Sequence, residues 1–178
     1  MLKSLRAGLV LFLVLSMPGL QTAAAKEGRM TELRITSPAF ANHEPIPNKF
    51  SCHGEDVNPP LAITGVPPEA KSLALVMDDP DAPRGTWVHW VLWNIPPHTA
   101  RIEENSVPAG AVQGVNSWGR KGYGGPCPPS GTHRYFFKLY ALKAPLELHP
   151  GAGKADLEKA MHGVMLQKSE LVGIFSHR

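Results

Sequence analysis

Proline and glycine cut this chain into short pieces: 18 Pro and 17 Gly fall among 178 residues, and they cluster between apolar runs. Pro45, Pro47, Pro59, Pro60, Pro67, Pro68, Pro80, Pro83, Pro96, Pro97 and the stretch 124–131 leave no room for a long helix downstream of residue 45 until the last quarter. The runs between them are rich in β-branched and aromatic residues, the pattern of an all-β sandwich or barrel. Strands are expected at Glu32–Ser37, Leu61–Thr64, Ser72–Asp78, Trp87–Ile95, His133–Leu142 and Leu171–Phe175. Ser72–Asp78 is an apolar run, unbroken from Leu73 to Met77, and is expected to be buried on both faces. One helix is expected at Lys154–Leu166, where Leu157, Ala160, Met161, Val164 and Met165 recur at helical spacing. It is read as a peripheral helix covering a sheet edge or end, its Met and Leu being core contacts and not a cofactor-binding face. No cofactor is expected.

The first residues are read as a targeting segment. Lys3 and Arg6 precede an apolar stretch, Ala7–Leu15, and Thr22-Ala23-Ala24-Ala25 supplies small residues for cleavage. This is the layout of a secretory signal peptide. The apolar stretch is shorter than the ~20 residues of a spanning helix. The expected organisation is therefore a signal peptide at 1–25 and one domain at 26–178, exported, with a periplasm as its compartment. Without Lys3 and Arg6 the net charge falls from +3 to +1. That balance, with no basic run interleaved with aromatics, is too even to argue for nucleic acid or a membrane surface, and no nucleic-acid partner is expected. An oxidising compartment permits a disulfide between Cys52 and Cys127. That bridge is the favoured reading, with two neighbouring thiols as the alternative.

Three segments place polar side chains at strand ends beside rigid turns. Asp78-Asp79-Pro80-Asp81 closes the buried run, and Pro80 forces Asp79 into an extended conformation. In Trp87-Val88-His89-Trp90, strict alternation puts His89 on one face with Trp87, Val91 and Trp93. Gly124–Gly131 is a tight loop that leads into His133-Arg134-Tyr135, where His133 and Tyr135 share a face and Arg134 points away. Two donors at a strand mouth under a Gly-rich loop suit an anion, and Arg134 suits a structural ion pair.

These segments, Asp79-Pro80-Asp81-Ala82-Pro83, Trp87-Val88-His89-Trp90 and Gly125-Pro126-Cys127-Pro128-Pro129-Ser130-Gly131-Thr132-His133-Arg134-Tyr135, resemble the signatures of the phosphatidylethanolamine-binding protein family. Ser51–Asp56 and Asn58-Pro59-Pro60 resemble its bacterial, Raf kinase inhibitor-like branch, and the resemblance runs from about residue 32 to the end. It implies a mostly-β fold of two antiparallel sheets with a small pocket at one end. Carried onto this chain, the ligand-binding residues it implies are Asp79, Asp81, His89, Gly125, Pro129, His133 and Tyr135. The chain departs from eukaryotic members by Cys127 within Gly-Pro-Cys-Pro-Pro, where they carry a shorter loop. It also has Val88 where they carry a second histidine.

The expected function is an exported protein that binds a small anion or phospholipid headgroup, without catalytic residues. Two alternatives come from other classes. One is an inhibitor of an exported protease or other hydrolase, with a protein partner. The other is a metal-dependent hydrolase using two His and an Asp on zinc. Ser117 and Ser130 lack a Gly-x-Ser-x-Gly setting, which speaks against a serine nucleophile. Proline flanks and the expected bond to Cys52 speak against Cys127 acting as a nucleophile with His133.

Overall fold

A computed structural model describes residues 32–176. The signal peptide read at 1–25, and the ends of the 26–178 domain, lie outside the described residues.

The strands are β1 (Arg34–Thr36), β2 (Glu44–Pro45), β3 (Leu61–Thr64), β4 (Ser72–Asp79), β5 (Trp87–Ile95), β6 (Arg101–Ile102), β7 (Val112–Gln113), β8 (Thr132–Leu142) and β9 (Met165–Ser176). One 3-10 turn, Asn48–Phe50, and one helix, α1 (Lys154–Met161), accompany them. Strands β1-β3-β6 form a small antiparallel sheet. The large sheet runs β2-β9-β8-β4-β5-β7, antiparallel except for the parallel contact of β2 with β9. The fold is thus mostly β, with two sheets, as the sequence implies.

Alternation along β4 builds both cores. Leu73, Leu75 and Met77 face the small sheet and pack with Ile35, Leu61, Ile63 and Ile102. Ala74 and Val76 face the other way, against Val91, Trp93, Tyr140, Leu157 and Met161. All eight residues of β4 are buried, as the unbroken apolar run required. The helix therefore covers the outer face of the large sheet, not an edge or end.

The helix is also shorter than its periodicity predicted. It stops at Met161, because His162 turns extended and Gly163 takes φ 75°, a left-handed conformation that suits glycine. Met165 then pairs with Leu142 as the first residue of β9 and is 52% exposed. Val164 belongs to the turn, its N–H donating to the Met161 carbonyl (3.1 Å), and Met165 fits a helical repeat and an extended strand equally well, so spacing alone misassigned both. The added first half of β9 reads Met-Leu-Gln-Lys-Ser-Glu and lacks an apolar run. Two of its polar side chains tie the sheets together: Leu33 N–H donates to Gln167 Oε1 (2.8 Å) and Ile35 N–H to Ser169 Oγ (3.2 Å).

Candidate functional site

The site begins where β4 and β8 run side by side, and each acid of the Asp-Asp-Pro-Asp turn has a different fate. Asp78, fully buried, points to the helix side and meets the ammonium groups of Lys138 (2.7 Å) and Lys154 (2.5 Å). Asp81 is clamped by Arg134, whose Nε and Nη2 donate to its two oxygens at 2.9 and 2.7 Å, while the Arg134 backbone N–H adds a third bond. Arg134 holds the Asp81 carboxyl down to about 2, chiefly through the side-chain hydrogen bonds. Only Asp79 turns inward. Its Oδ1 accepts the Asp81 N–H (2.8 Å), closing the turn, and its Oδ2 accepts a hydrogen bond from Nδ1 of His133 (2.7 Å). Asp79 is 3% exposed and His133 7%.

A β-bulge sets the direction of His89. Met77 pairs with Trp90 but Asp78 pairs with Val88, so His89 is an extra residue in β5. Alternation fails there. Val88 packs on the outer face with Val91 and Trp93, Trp90 lies in the inter-sheet core, and His89 stands edge-on to Tyr135 with centroids 5.1 Å apart. His89 is therefore on the face of Tyr135, not on that of Val91 and Trp93 as strict alternation predicted. Its Nδ1 lies 2.7 Å from the Gly124 carbonyl, which leaves Nε2 as its available nitrogen. Burial pushes the His89 pKa below its ordinary value, against the pull of the Gly124 carbonyl and of Asp79.

The loop 124–131 is docked on three sides. Gly124 N–H donates back to the His89 carbonyl (3.1 Å), Gly125 N–H to Asp56 Oδ1 (2.6 Å), and Cys52 N–H to the Pro126 carbonyl (3.1 Å). Cys52 and Cys127 form a disulfide across 75 residues of sequence. Gly125 is required by close approach, since a Cβ there would sit 2.3 Å from the Phe50 carbonyl oxygen.

These elements surround a cleft of about 460 Å³ lined by Asp79, Ala82, Pro83, Arg84, Trp87, His89, Trp118, Cys127 and Pro129. Of the residues singled out from sequence, Asp79, His89 and Pro129 line it. His133 and Tyr135 stand behind Asp79 and His89, and Asp81 and Gly125 brace its walls. Tyr135 is fully buried, and its hydroxyl has the Asp79 carboxylate and the Cys127 backbone as polar neighbours without a close, well-aligned hydrogen bond to either. Burial and the neighbouring Asp79 carboxylate push its pKa up, so the phenol keeps its proton as a donor. Asp79, His89 and His133 do not bring three ligating atoms within 4.8 Å of one another. Among the described residues, the group that does so is Cys52, His53 and Cys127.

Sequence reasoning missed Arg84, Trp87 and Trp118 as cleft residues. Arg84 is exposed at the mouth and makes no ion pair among the described residues. Trp118 is 41% exposed and stands edge-on to both Trp87 (5.4 Å) and His89 (5.0 Å). The available signal was a tryptophan, Trp118, set between the turn formers Asn116-Ser117 and Gly119.

The family model for phosphatidylethanolamine-binding proteins matches residues 36–176. A UPF0098 protein of Methanothermobacter thermautotrophicus is 51% identical over 148 residues, 80% of this chain and 98% of the relative. One from Pyrococcus abyssi is 46% identical over 178 residues, covering 96% of this chain and 97% of its own. Among solved structures, a phosphatidylethanolamine-binding protein homolog from Chlamydia trachomatis superimposes with a TM-score of 0.80 at 40% identity, covering 83% of this chain and 99% of the other. YbcL of E. coli, described as a member of the mammalian family, gives 0.78 at 30% identity with the same coverages.

Proposed function

This chain belongs to the phosphatidylethanolamine-binding protein family, and from that premise we propose that the cleft at Asp79 and His89 binds a phosphate-like anion, such as the headgroup of a phospholipid. The observation that carries the proposal is His89 in the cleft wall, its Nδ1 held by the Gly124 carbonyl so that Nε2 is left for a ligand. Tyr135 stands edge-on behind that ring and supports it from the core side.

The remaining groups fit the same role. With Nδ1 held on Gly124, His89 can offer a proton to a ligand only from Nε2, when protonated. Asp79 accepts from His133 and the Asp81 backbone, so its oxygens are engaged rather than bare toward the ligand. Arg84 adds an exposed positive charge at the mouth, and Trp87 and Trp118 give the ligand's uncharged part an apolar wall. The protein acts by binding and holding its ligand. Residues 1–25 direct export, so the binding takes place outside the cytoplasm.

Calorimetric titration with inorganic phosphate and with phosphorylethanolamine tests the reading. Saturable binding that is lost in Asp79→Ala and His89→Ala supports it. Binding of neither ligand by a well-folded protein contradicts it. Cell fractionation, with N-terminal sequencing of the mature chain, tests export.

A further inference from the structure

The disulfide is part of a larger group. His53 follows Cys52 directly, and one ligating atom from each of Cys52, His53 and Cys127 lies within 4.8 Å of the other two. His53 and Cys127 are exposed and Cys52 is half-buried, so both a reductant and an ion can reach them. The His53 ring has no hydrogen-bond or ion-pair partner among the described residues. Only its backbone is engaged, through its N–H to Ser51 Oγ (3.2 Å) and its carbonyl from Asn48 Nδ2 (3.4 Å).

The two halves of this group are held together by more than the S–S bond. Ser51 Oγ caps the Asn48 carbonyl (2.8 Å), and Gly54 N–H closes onto the Ser51 carbonyl (3.0 Å), which fixes the Cys52-His53 turn. Cys52 N–H to Pro126 and Gly125 N–H to Asp56 pin the loop of Cys127 against that turn. The three side chains therefore remain neighbours after the bond is opened.

Two thiolates and an imidazole form a soft donor set of the kind that selects Zn²⁺. We propose that reduction of the Cys52–Cys127 disulfide opens a zinc site made of Cys52 Sγ, Cys127 Sγ and one ring nitrogen of His53, with its fourth position open to solvent. A dithiol supplies two electrons and two protons to the S–S bond and leaves as its own disulfide. Zn²⁺ then displaces the two thiol protons to solvent and takes the lone pair of the His53 nitrogen. The disulfide form has no thiolate to offer, so the site is gated by redox state. Because Cys127 also lines the cleft, an occupied site sits at the cleft wall, but the inference does not rest on anion binding.

The full chain, reduced and freed of metal, is titrated with Co²⁺ as a spectroscopic probe and then with Zn²⁺. The expected result is a thiolate-to-cobalt charge-transfer band with one ion per chain, bleached by zinc, and absent from the disulfide form. His53→Ala, which retains the disulfide during folding, should weaken zinc binding by at least the ~10–100-fold that loss of even an outer partner costs. No band in the reduced protein, the same band in the disulfide form, or unchanged affinity in His53→Ala overturns the proposal. Amide NMR spectra accompany each titration. If reduction unfolds the chain, recovery of the native spectrum with zinc supports the site, and zinc binding to a chain that stays unfolded overturns it.

Discussion

Asp79 accepts a hydrogen bond from Nδ1 of His133 at 2.7 Å, and both residues are almost completely shielded from water. Neither is adjacent in sequence; β4 delivers one and β8 the other, in neighbouring antiparallel strands. The bond orients the imidazole and occupies one carboxylate oxygen. Around this pair the cleft holds a histidine kept neutral by burial and a phenol kept protonated.

Tyr135→Phe should be mild in both stability and binding. The hydroxyl it removes makes no close, well-aligned hydrogen bond, so unfolding free energy should change by under about 0.5 kcal/mol or rise. Affinity for phosphorylethanolamine should fall by less than about tenfold, below the worth of one direct hydrogen bond near 1–1.5 kcal/mol, because Tyr135 supports His89 from behind and does not line the cleft. Urea denaturation and calorimetry on the same variant check both halves.

Anion affinity should rise as pH falls. The His89 pKa lies below its ordinary value of 6.5, so near pH 7 the ring is neutral and its Nε2 offers no proton. Acidification through that lowered pKa adds a charge and a donor. The stability linkage has the opposite sense: the unfolded chain binds this proton at higher pH than the folded chain does. The His89 contribution is thus full above pH 6.5 and is lost as pH falls from there toward the folded pKa. A ligand-saturated sample should lose less stability in that window, which thermal melts with and without phosphate will read.

Reducing the Cys52–Cys127 bond should destabilise the domain by about 2–4 kcal/mol, since it closes a loop of 75 residues. Urea midpoints with and without a reductant measure this. A shift near zero would mean that the hydrogen bonds of loop 124–131 already restrain the chain.

Gly125→Ala should damage the cleft wall directly. The added Cβ meets the Phe50 carbonyl oxygen at 2.3 Å and Asp56 Oδ1 at 2.9 Å, so the loop must move off its anchor. We expect a loss of about 1–3 kcal/mol in stability, with weaker anion binding. Backbone shifts at His89 and Cys127 in the NMR spectrum should report the displacement.

The long strands were legible because their chemistry is redundant. β4 carries the unbroken apolar run Leu73–Met77, seven of the nine residues of β5 are apolar or aromatic, and β3 is bounded by prolines and a turn. The two-residue strands β2, β6 and β7 carry no periodicity to read. The polar half of β9 is held by bonds from Gln167 and Ser169 to a strand over 130 residues away, a relation that no local pattern encodes. At the site, Asp79, His89, His133 and Tyr135 were named from their motifs, and Arg134 was read as an ion-pair partner. The bulge that turns His89 was invisible, because it is defined by its pairing with β4 and not by its own residues. Arg84 and Trp118 reach the cleft from separate loops, and only tertiary structure brings them there.

The central claim is that the cleft takes an anion, and the most direct measurement is an NMR titration of the mature protein with phosphorylethanolamine at about pH 5.5 and about pH 8, on either side of the ordinary histidine pKa. The account predicts shifts confined to Asp79, His89, His133, Tyr135 and loop 124–131, saturating at lower ligand concentration at the acid pH. A well-folded spectrum that does not move at either pH, or moves only outside these residues, would contradict it.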